Sequence, residues 1–328
     1  MQSARGVNAS LLRIDHAAPN NRKDLLGLLA EHLPETNVSA RVAWLYELNP
    51  HGRALTVLAY DGRTNEPLGV ASVFPRKLTT NGRVFLGAIG GDAYVRPTAR
   101  RRGVATAMHK ALHDRMKNEG VDVMFGPPEP LNLRALERAG SRIVTHVRRY
   151  VRPSWLHAVA GPLSRIGRLR SVRLDPITED DRRLDALFER TVDPSHVVAV
   201  RDAEFFKWKY LENPSSVQRP FVVTHERQPI GVCVLERKGK QVAIIDLVAP
   251  AKDYARSLLA AMNATEASSF VFQLNERGPF AQELHWAGLL PRERKPFQVL
   301  ATTSHESNIF DASRWYYTWG DGDMDRLL

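Results

Sequence analysis

The chain has 328 residues, enough for one large domain or two of ordinary size, and 43% of them are hydrophobic. Its single cysteine, Cys233, excludes an internal disulfide framework and a cysteine-rich metal site, and its apolar neighbours predict a buried strand residue. Residues 1–152 hold 23 Lys and Arg against 13 Asp and Glu, and 174–328 hold 19 against 23. We therefore expect the first half to attract a polyanion: nucleic acid, an anionic membrane or a phosphorylated cofactor.

Targeting signals are missing from the sequence. The N-terminus lacks the apolar segment of a signal peptide. No uninterrupted apolar run approaches the ~18 residues that a bilayer-spanning helix needs. We therefore expect a soluble, cytoplasmic protein.

An internal repeat organises the chain. The pattern W-x-Y-x-x-N-P occurs at 44–50 and again at 208–214, and the Pro-x-Gly-Val pattern at 67–70 returns at 229–232. Matches in the same order indicate two tandem copies of one domain, which places the domains at 1–152 and 174–328 with a basic linker at 153–173. Three further matches pair Asp92 with Asp246, Leu131-Asn132 with Leu274-Asn275, and Ala139-Gly140 with Ala287-Gly288.

Each copy has the pattern of a mixed α/β domain, an α+β fold with a mixed, mostly antiparallel sheet flanked by helices. In the first copy, residues 104–118 have apolar side chains at helical spacing, and Gly120 is expected to end that helix. Asn81-Gly82 predicts a hairpin turn. Strands are predicted at 11–15, 55–60, 67–76, 83–95, 121–125 and 143–150, and helices at 23–32, 42–47, 104–118 and 132–139.

The segment after the strand that ends at Val95 predicts an anion-binding loop. Arg100-x-x-Gly103-x-Ala105 leads directly into the helix, and the small residues let a ligand approach the backbone closely. The first N–H groups of a helix have no partner within it, and its dipole makes that end positive. A pyrophosphate fits such a site, with charge-assisted bonds from Arg100 to Arg102. The alternative is a surface arginine turn that caps an ordinary helix.

This segment resembles motif A of the GNAT (Gcn5-related) N-acetyltransferase superfamily, [QR]-x-x-G-x-[GA]. The resemblance covers the first copy by element order, and the second copy joins it through the repeat. It implies an acyl-coenzyme A donor, with acetyl-CoA as the default, and two tandem GNAT-like domains. The donor contacts that it implies are Tyr94, Val95, Arg100, Arg101, Arg102, Gly103, Val104, Ala105, Thr106 and Asn132. For Asn132 a helix N-cap is the favoured alternative.

Gly90-Gly91 lies inside the strand before the loop, where glycine pairs mark a bulge or a close backbone approach. In GNAT proteins a bulge here separates the strand from its neighbour, the pantetheine arm lies in the gap, and a strand N–H can hold the thioester carbonyl. The acidic residue that matches the family position of the base is Asp92, with Glu129 as a rival. Alternatively Asp92 is structural, as its counterpart Asp246 suggests.

The general acid is where the sequence departs from the family. The tyrosine found four residues before a glycine in many GNAT enzymes is Leu136 here. Tyr94 and Tyr150 are possible substitutes, although neither matches by motif. A thiol of pKa near 8.5 also makes a fair leaving group without help.

The second copy has lost the loop. Its corresponding residues 249–255 contain no glycine, and the one positive charge, Lys252, stands beside Asp253. An anion would meet a carboxylate there, so we expect this copy to be degenerate and to bind coenzyme A poorly.

The linker and the C-terminal tail leave alternatives open. Between Glu137 and Asp175 there is no acidic residue, and apolar residues recur at near-helical spacing. Such a segment suits peripheral contact with an anionic membrane or packing between domains, whereas the scarcity of stacking aromatics argues against nucleic acid. The tail after Trp315 is aromatic and then acidic; we expect a last strand and a solvated end rather than a calcium loop.

The function implied by this resemblance is acyl-CoA-dependent N-acylation, without a metal. The acceptor is expected to be the primary amine of a small molecule, an amino sugar or an amino-acid derivative, which attacks the thioester directly. A protein amine is one alternative acceptor. A non-catalytic acyl-CoA-binding or scaffold protein is the alternative from another class. The faint likeness of the tail to GNAT-like proteins of bacterial polysaccharide synthesis points to a bacterial protein.

Overall fold

The computed structural model describes residues 12–153, 155, 172–179, 181–265, 267–303 and 307–322. This part of the chain divides into two compact units. The first takes its residues from Met1–Arg76, Phe85–Arg142 and Gln298–Glu306, and the second from Lys77–Val84, Ile143–Phe297 and Ser307–Leu328.

The first unit is a mixed sheet flanked by helices. Its five strands lie in the order β1-β2-β3-β4-β5; β1, β2 and β3 pair antiparallel, whereas β4 and β5 are parallel. The strands are β1 (Leu12–His16), β2 (Leu55–Asp61), β3 (Pro67–Thr80), β4 (Arg83–Val95) and β5 (Val123–Gly126). The helices are α1 (Arg22–His32), α2 (Val38–Arg41), α3 (Val104–Asn118) and α4 (Leu133–Arg138), with a π-helical turn at Val42–Glu47 and 3₁₀ turns at Pro19–Asn21 and Pro97–Ala99.

Local sequence explains these elements. Asn81 and Gly82 have φ values of 51° and 72°, as a tight hairpin turn between β3 and β4 requires. Gly120, at φ 71°, follows the last turn of α3. The apolar side of α3 packs on the sheet in a core that includes Val57, Met108 and Leu112.

The second unit repeats the plan. Its sheet has the order β6-β12-β11-β10-β9-β7, in which β11 and β12 are parallel and the other neighbours antiparallel. The strands are β6 (Arg142–Pro153), β7 (Val172–Pro176), β8 (Val197–Ala199), β9 (Arg219–His225), β10 (Gln228–Lys238), β11 (Gln241–Val248), β12 (Ser269–Asn275), β13 (Leu290–Ala301) and β14 (Trp315–Tyr316). The helices are α5 (Arg183–Thr191), α6 (Ala203–Phe206), α7 (Ala251–Asn263) and α8 (Ala281–Trp286), with a π-helical turn at Lys207–Leu211 and 3₁₀ turns at Ser307–Phe310, Ala312–Arg314 and Trp319–Asp321.

Strands from one copy complete the unit formed by the other. Strand β5 of the first unit pairs antiparallel with Gln298–Ala301, the end of β13. In the second unit, β12 pairs antiparallel with β6, which follows α4 in the chain. The compact units therefore differ in composition from the domains 1–152 and 174–328 that the repeat predicts. Most of the predicted linker 153–173 lies outside the described residues.

Two of the repeated sequence patterns correspond to the same structural feature in both units. Each W-x-Y-x-x-N-P segment begins within a π-helical turn, Val42–Glu47 in the first unit and Lys207–Leu211 in the second. A Cβ on Gly69 would come 2.7 Å from the Tyr94 carbonyl oxygen, and one on Gly231 would come 2.9 Å from that of Val248, so both copies need glycine where the strand passes its neighbour. The Leu131-Asn132 match does not extend to structure, because Asn132 precedes α4 whereas Asn275 ends β12.

Cys233 lies in β10 within the core of the second unit and is fully buried, and burial raises the pKa of its thiol. This matches the expectation of an inert strand residue. Among the helices of the described residues, none combines the length and the hydropathy that a membrane span requires.

Candidate functional site

The loop between β4 and α3 forms a concave run of backbone. After the Pro97–Ala99 turn, Arg101 and Gly103 both take left-handed conformations, with φ values of 61° and 82°. Such left-handed residues in a turn aim successive N–H groups into one concavity, which suits an anion. A Cβ at Gly103 would meet nothing within 4 Å, so space lies open beside the backbone.

The N-terminus of α3 adds donors to this loop. Ala107 donates the first bond of the helix, N to the Gly103 oxygen at 3.0 Å. The N–H groups of Val104, Ala105 and Thr106 precede that bond and have no carbonyl one turn back within the helix. The first turn of α3 contains no acidic residue, so the positive end of the helix dipole is not neutralised by its own side chains.

The arginines of the loop have different surroundings. Arg100 folds back and donates from Nε to the Val95 oxygen at 3.1 Å. Arg102 has its Nη2 3.7 Å from Oδ2 of Asp61, at the surface. Arg101 is exposed. Arg100 thus holds the end of β4, whereas the side chains of Arg101 and Arg102 are at the surface of the loop.

Strand β4 extends past the end of its partner β5, which stops at Gly126. The two strands pair in register from Gly87–Val123 to Ile89–Phe125, where the described ladder ends, although β4 continues to Val95. The irregularity lies at Asp92, whose φ of 49° is left-handed. This is two residues after Gly90, where the glycine pair predicts it. The left-handed residue fits the expected bulge in β4, and the part of β4 after Ile89 has no β5 partner in the described ladder.

The side chain of Asp92 in β4 is buried and takes part in a hydrogen-bond network. Arg41 donates to both of its oxygens, from Nε at 3.1 Å and Nη2 at 3.0 Å, and the Tyr46 hydroxyl donates to Oδ2 at 2.8 Å. Burial and the charge of Asp92 raise the pKa of Tyr46, so its hydroxyl keeps the donated proton. Ser72 donates in turn to the Tyr46 oxygen at 3.2 Å. These contacts fit a structural role for Asp92 better than the role of a base that contacts the substrate.

Tyr94 points to the same side of β4 as Asp92 but lies nearer the surface. Its ring stacks on that of His32 at the end of α1, with centroids 5.3 Å apart. Its hydroxyl lies 3.4 Å from Glu31, which accepts two bonds from Nε and one from Nη2 of Arg96. The hydrogen bond and charge of Arg96 lower the pKa of Glu31 against a smaller effect of burial. Tyr94 is therefore positioned by α1, on the side opposite α3.

The remaining predicted residues are less well placed. Glu129 is exposed in the segment after β5. Asn132 occupies the N-cap position of α4, but its side chain accepts no capping bond; only its carbonyl does, from Ala135 and Leu136. The expected N-cap position of Asn132 was confirmed, with its backbone carbonyl in place of its side chain as the bonded group. Tyr150 is a buried strand residue of the second unit, and burial raises its pKa.

In the second unit, aromatic side chains lie beside the end of the β11–β12 ladder. Strands β11 and β12 pair only as far as Ile244–Phe272. Beyond that point the Tyr316 hydroxyl donates to the Leu247 oxygen and contacts the Tyr254 hydroxyl at 3.2 Å. Tyr254, in the first turn of α7, is fully buried and stacks on Phe280, with centroids 4.0 Å apart. Tyr254, Phe280 and Tyr316 thus pack together beside the end of this ladder.

The tail is also held by charge. Arg201 donates to Asp246 and to Asp321, both at 2.7 Å, and all three side chains are at most 1% exposed. The expectation that the acidic tail is solvated was wrong for Asp321. A buried arginine needs compensating carboxylates, and the tail supplies one of them. Residues 323–328 lie outside the described part.

Two groups of this region were not predicted from sequence. His32 and Arg41 lie in helices with no motif around them. For Arg41 a signal existed, because a carboxylate repeated inside two apolar strands, as Asp92 and Asp246 are, requires a buried cation. Among the described residues, no group of three His, Cys, Asp or Glu side chains is arranged to hold a metal.

Comparison with known proteins agrees with this geometry. Residues 16–140 match the family model described as an acetyltransferase (GNAT) domain. A GCN5-related N-acetyltransferase from Anabaena variabilis shares the fold at a TM-score of 0.66 and 14% identity, over 89% of this chain and 73% of that one. A second, from Kribbella flavida, gives 0.63 and 18%, over 90% and 72%.

The fold extends to a more distant enzyme. The Saccharomyces cerevisiae N-myristoyltransferase with bound myristoyl-CoA has a TM-score of 0.57 at 12% identity, over 91% of this chain and 85% of that one. No curated protein matches the sequence.

Proposed function

Residues 16–140 belong to the GNAT acetyltransferase family, and we propose that the chain is an acyl-CoA-dependent N-acyltransferase with one donor site. The observation that carries this proposal is the open, left-handed Gly103 at the N-terminus of α3, after a strand that extends past its partner β5. A pyrophosphate in the concavity would accept bonds from the loop N–H groups and the guanidinium groups of Arg101 and Arg102.

The pantetheine arm would then lie along β4 past Val95 and Tyr94, with the thioester near the bulge. The backbone N–H groups of β4 after Ile89 have no β5 partner in the described ladder, and such a donor can stabilise the oxyanion of the tetrahedral intermediate. Acetyl-CoA is the proposed donor, and a small primary amine, an amino sugar or an amino-acid derivative, is the proposed acceptor.

The proposed reaction is direct transfer. The amine nitrogen attacks the thioester carbonyl carbon, the carbon–sulfur bond breaks, and the thiolate leaves. Asp92 as base, with Glu129 as its rival, and Tyr94 as a candidate general acid stay predictions from the sequence. The contacts of Asp92 support a different task for it, because Arg41 and Tyr46 already use both of its oxygens. There Asp92 would fix the bulge on which the thioester rests.

The experiment is a thiol-release assay with acetyl-CoA and a panel that contains glucosamine, galactosamine, lysine, tyramine and a peptide with a free N-terminus. Release that depends on a small amine supports the proposal, and release with the peptide alone would favour a protein acceptor. Coenzyme A binding without turnover across the panel would favour the non-catalytic alternative, which Leu136 in the usual tyrosine position also favours.

A further inference from the structure

His32 is the last residue of α1, and its ring is half-buried over the same side of β4 that carries Asp92. The ring stacks on Tyr94 at an interplanar angle of 23°. Within the described residues, neither of its nitrogens has a hydrogen-bond partner. A half-buried imidazole with both nitrogens available is poised to accept a proton from a ligand.

The groups that face His32 are few and can be named. They are the Tyr94 ring, the charges of Asp92 and Arg41, and the neighbouring Glu31, which the Tyr94 hydroxyl and Arg96 engage. Burial lowers the pKa of His32, while Asp92 raises it and Arg41 lowers it. The net direction is downward, so the ring is neutral at pH 7 and able to act as a base.

Alternate residues of β4 face opposite sides of the strand, so His32 and Tyr94 lie on the side away from the core. Ala93 and Val95 pack against the core that contains Val104 and Met108 of α3, whereas Tyr94 contacts the end of α1. A ligand that approaches β4 from the α1 side would meet Tyr94 and His32 first, because Asp92 lies beneath Arg41 and is only 7% exposed.

We propose that His32 is the catalytic base of the acyl transfer, which presupposes the function proposed above. His32 takes one proton from the acceptor ammonium and leaves a neutral amine. The amine nitrogen bonds to the thioester carbonyl carbon, the carbon–sulfur bond breaks with its electron pair on sulfur, and the second nitrogen proton passes to the thiolate. The products are the amide and the thiol, and His32 returns its proton to water. Asp92 and Arg41 set the charge around the ring and act as positioning residues.

The test compares His32→Gln with wild-type protein in the full chain, using acetyl-CoA and the most active amine of the panel. His32→Gln should lower kcat at pH 7 by about 100-fold, as loss of a general base does. It should also abolish the ascending limb of the pH–rate profile, which in wild type should have its midpoint below pH 6.5. The control is His16→Gln, an exposed histidine of β1 in the same unit, which should change neither quantity.

Folding and the donor site are checked separately. Affinity for coenzyme A, measured by calorimetry, should stay within about threefold in His32→Gln, because the variant does not touch the loop. His32→Ala should regain turnover with added imidazole, which a purely structural histidine would not allow. An active wild type with an unchanged pH profile in His32→Gln overturns the assignment of His32 alone. A wild type that binds coenzyme A and acylates no amine overturns both this assignment and the proposed function.

Discussion

The burial of the Arg41–Asp92 pair lets us predict how much Asp92→Asn lowers the free energy of unfolding. Asp92→Asn keeps the shape of the side chain but removes the negative charge that faces the guanidinium, and its NH₂ group would confront either Arg41 or Tyr46. Both charged side chains are at most 7% exposed. Loss of one partner of a buried pair costs about 3–5 kcal/mol, far more than the roughly 1 kcal/mol of a single neutral hydrogen bond.

Urea unfolding followed by circular dichroism and tryptophan fluorescence measures this cost. The matched control is Asp15→Asn, which breaks an exposed pair with Arg13 and should change the free energy of unfolding by less than about 1 kcal/mol. The double variant Arg41→Met/Asp92→Leu should cost less than the two single variants together, because no buried charge remains. If Asp92→Asn proves as mild as Asp15→Asn, the structural role assigned to Asp92 is refuted.

Two further predictions concern each unit separately. Burial lowers the pKa of His109 in α3 to about 4, so the native state favours the neutral ring, and the free energy of unfolding should fall by about 3 kcal/mol as the pH drops from 6.5 to 4. In urea unfolding, His109→Leu should remove this pH dependence. An unchanged pH dependence in His109→Leu would show that His109 is not its source. Gly320→Ala would bring a Cβ within 2.5 Å of Asp246 and should destabilise the second unit by about 1–3 kcal/mol, with donor affinity unchanged. Its control is Gly27→Ala, whose Cβ meets nothing within 4 Å and which should be neutral or slightly stabilising. Equal changes in the free energy of unfolding for Gly320→Ala and Gly27→Ala would argue against close packing of Gly320 on Asp246.

The sequence predicts elements whose signals are local. The bounds 104–118 of α3 were confirmed, because the apolar spacing begins at Val104 and Gly120 ends it. The hairpin at Asn81-Gly82 was confirmed for the same reason. The match of residues 16–140 to a GNAT family model agrees with the loop motif, which is contiguous in sequence and whose glycine has a left-handed φ.

What the sequence does not predict depends on long-range partners. Strand composition does not say which strand lies alongside, so the pairing of β5 with Gln298–Ala301 left no local trace. Asp321 looks like any acidic tail residue until Arg201 is placed next to it. A buried cation near Asp92 could have been predicted, because the carboxylates repeated at Asp92 and Asp246 each require one. His32 had no pattern to mark it.

The aromatic side chains beside the end of the β11–β12 ladder add a second reason to expect no donor binding by the second unit. Loss of glycine from 249–255 already argues against phosphate binding. The tail adds a second obstacle, because Tyr316 bonds to the Leu247 carbonyl where β11 leaves β12. Since β6 and β13 complete units outside their own repeats, a fragment such as 174–328 would lack a strand of its sheet, and binding must be measured on the full chain.

The most direct test of the account is calorimetric titration of the full chain with acetyl-CoA. We predict one site per chain, abolished by Gly103→Glu and retained in Gly120→Glu. The control glycine lies past the other end of α3, also has a positive φ and has nothing within 4 Å, so the variants share strain and charge but not position. Two sites per chain, or binding that survives Gly103→Glu unchanged, would contradict a single donor site in the first unit.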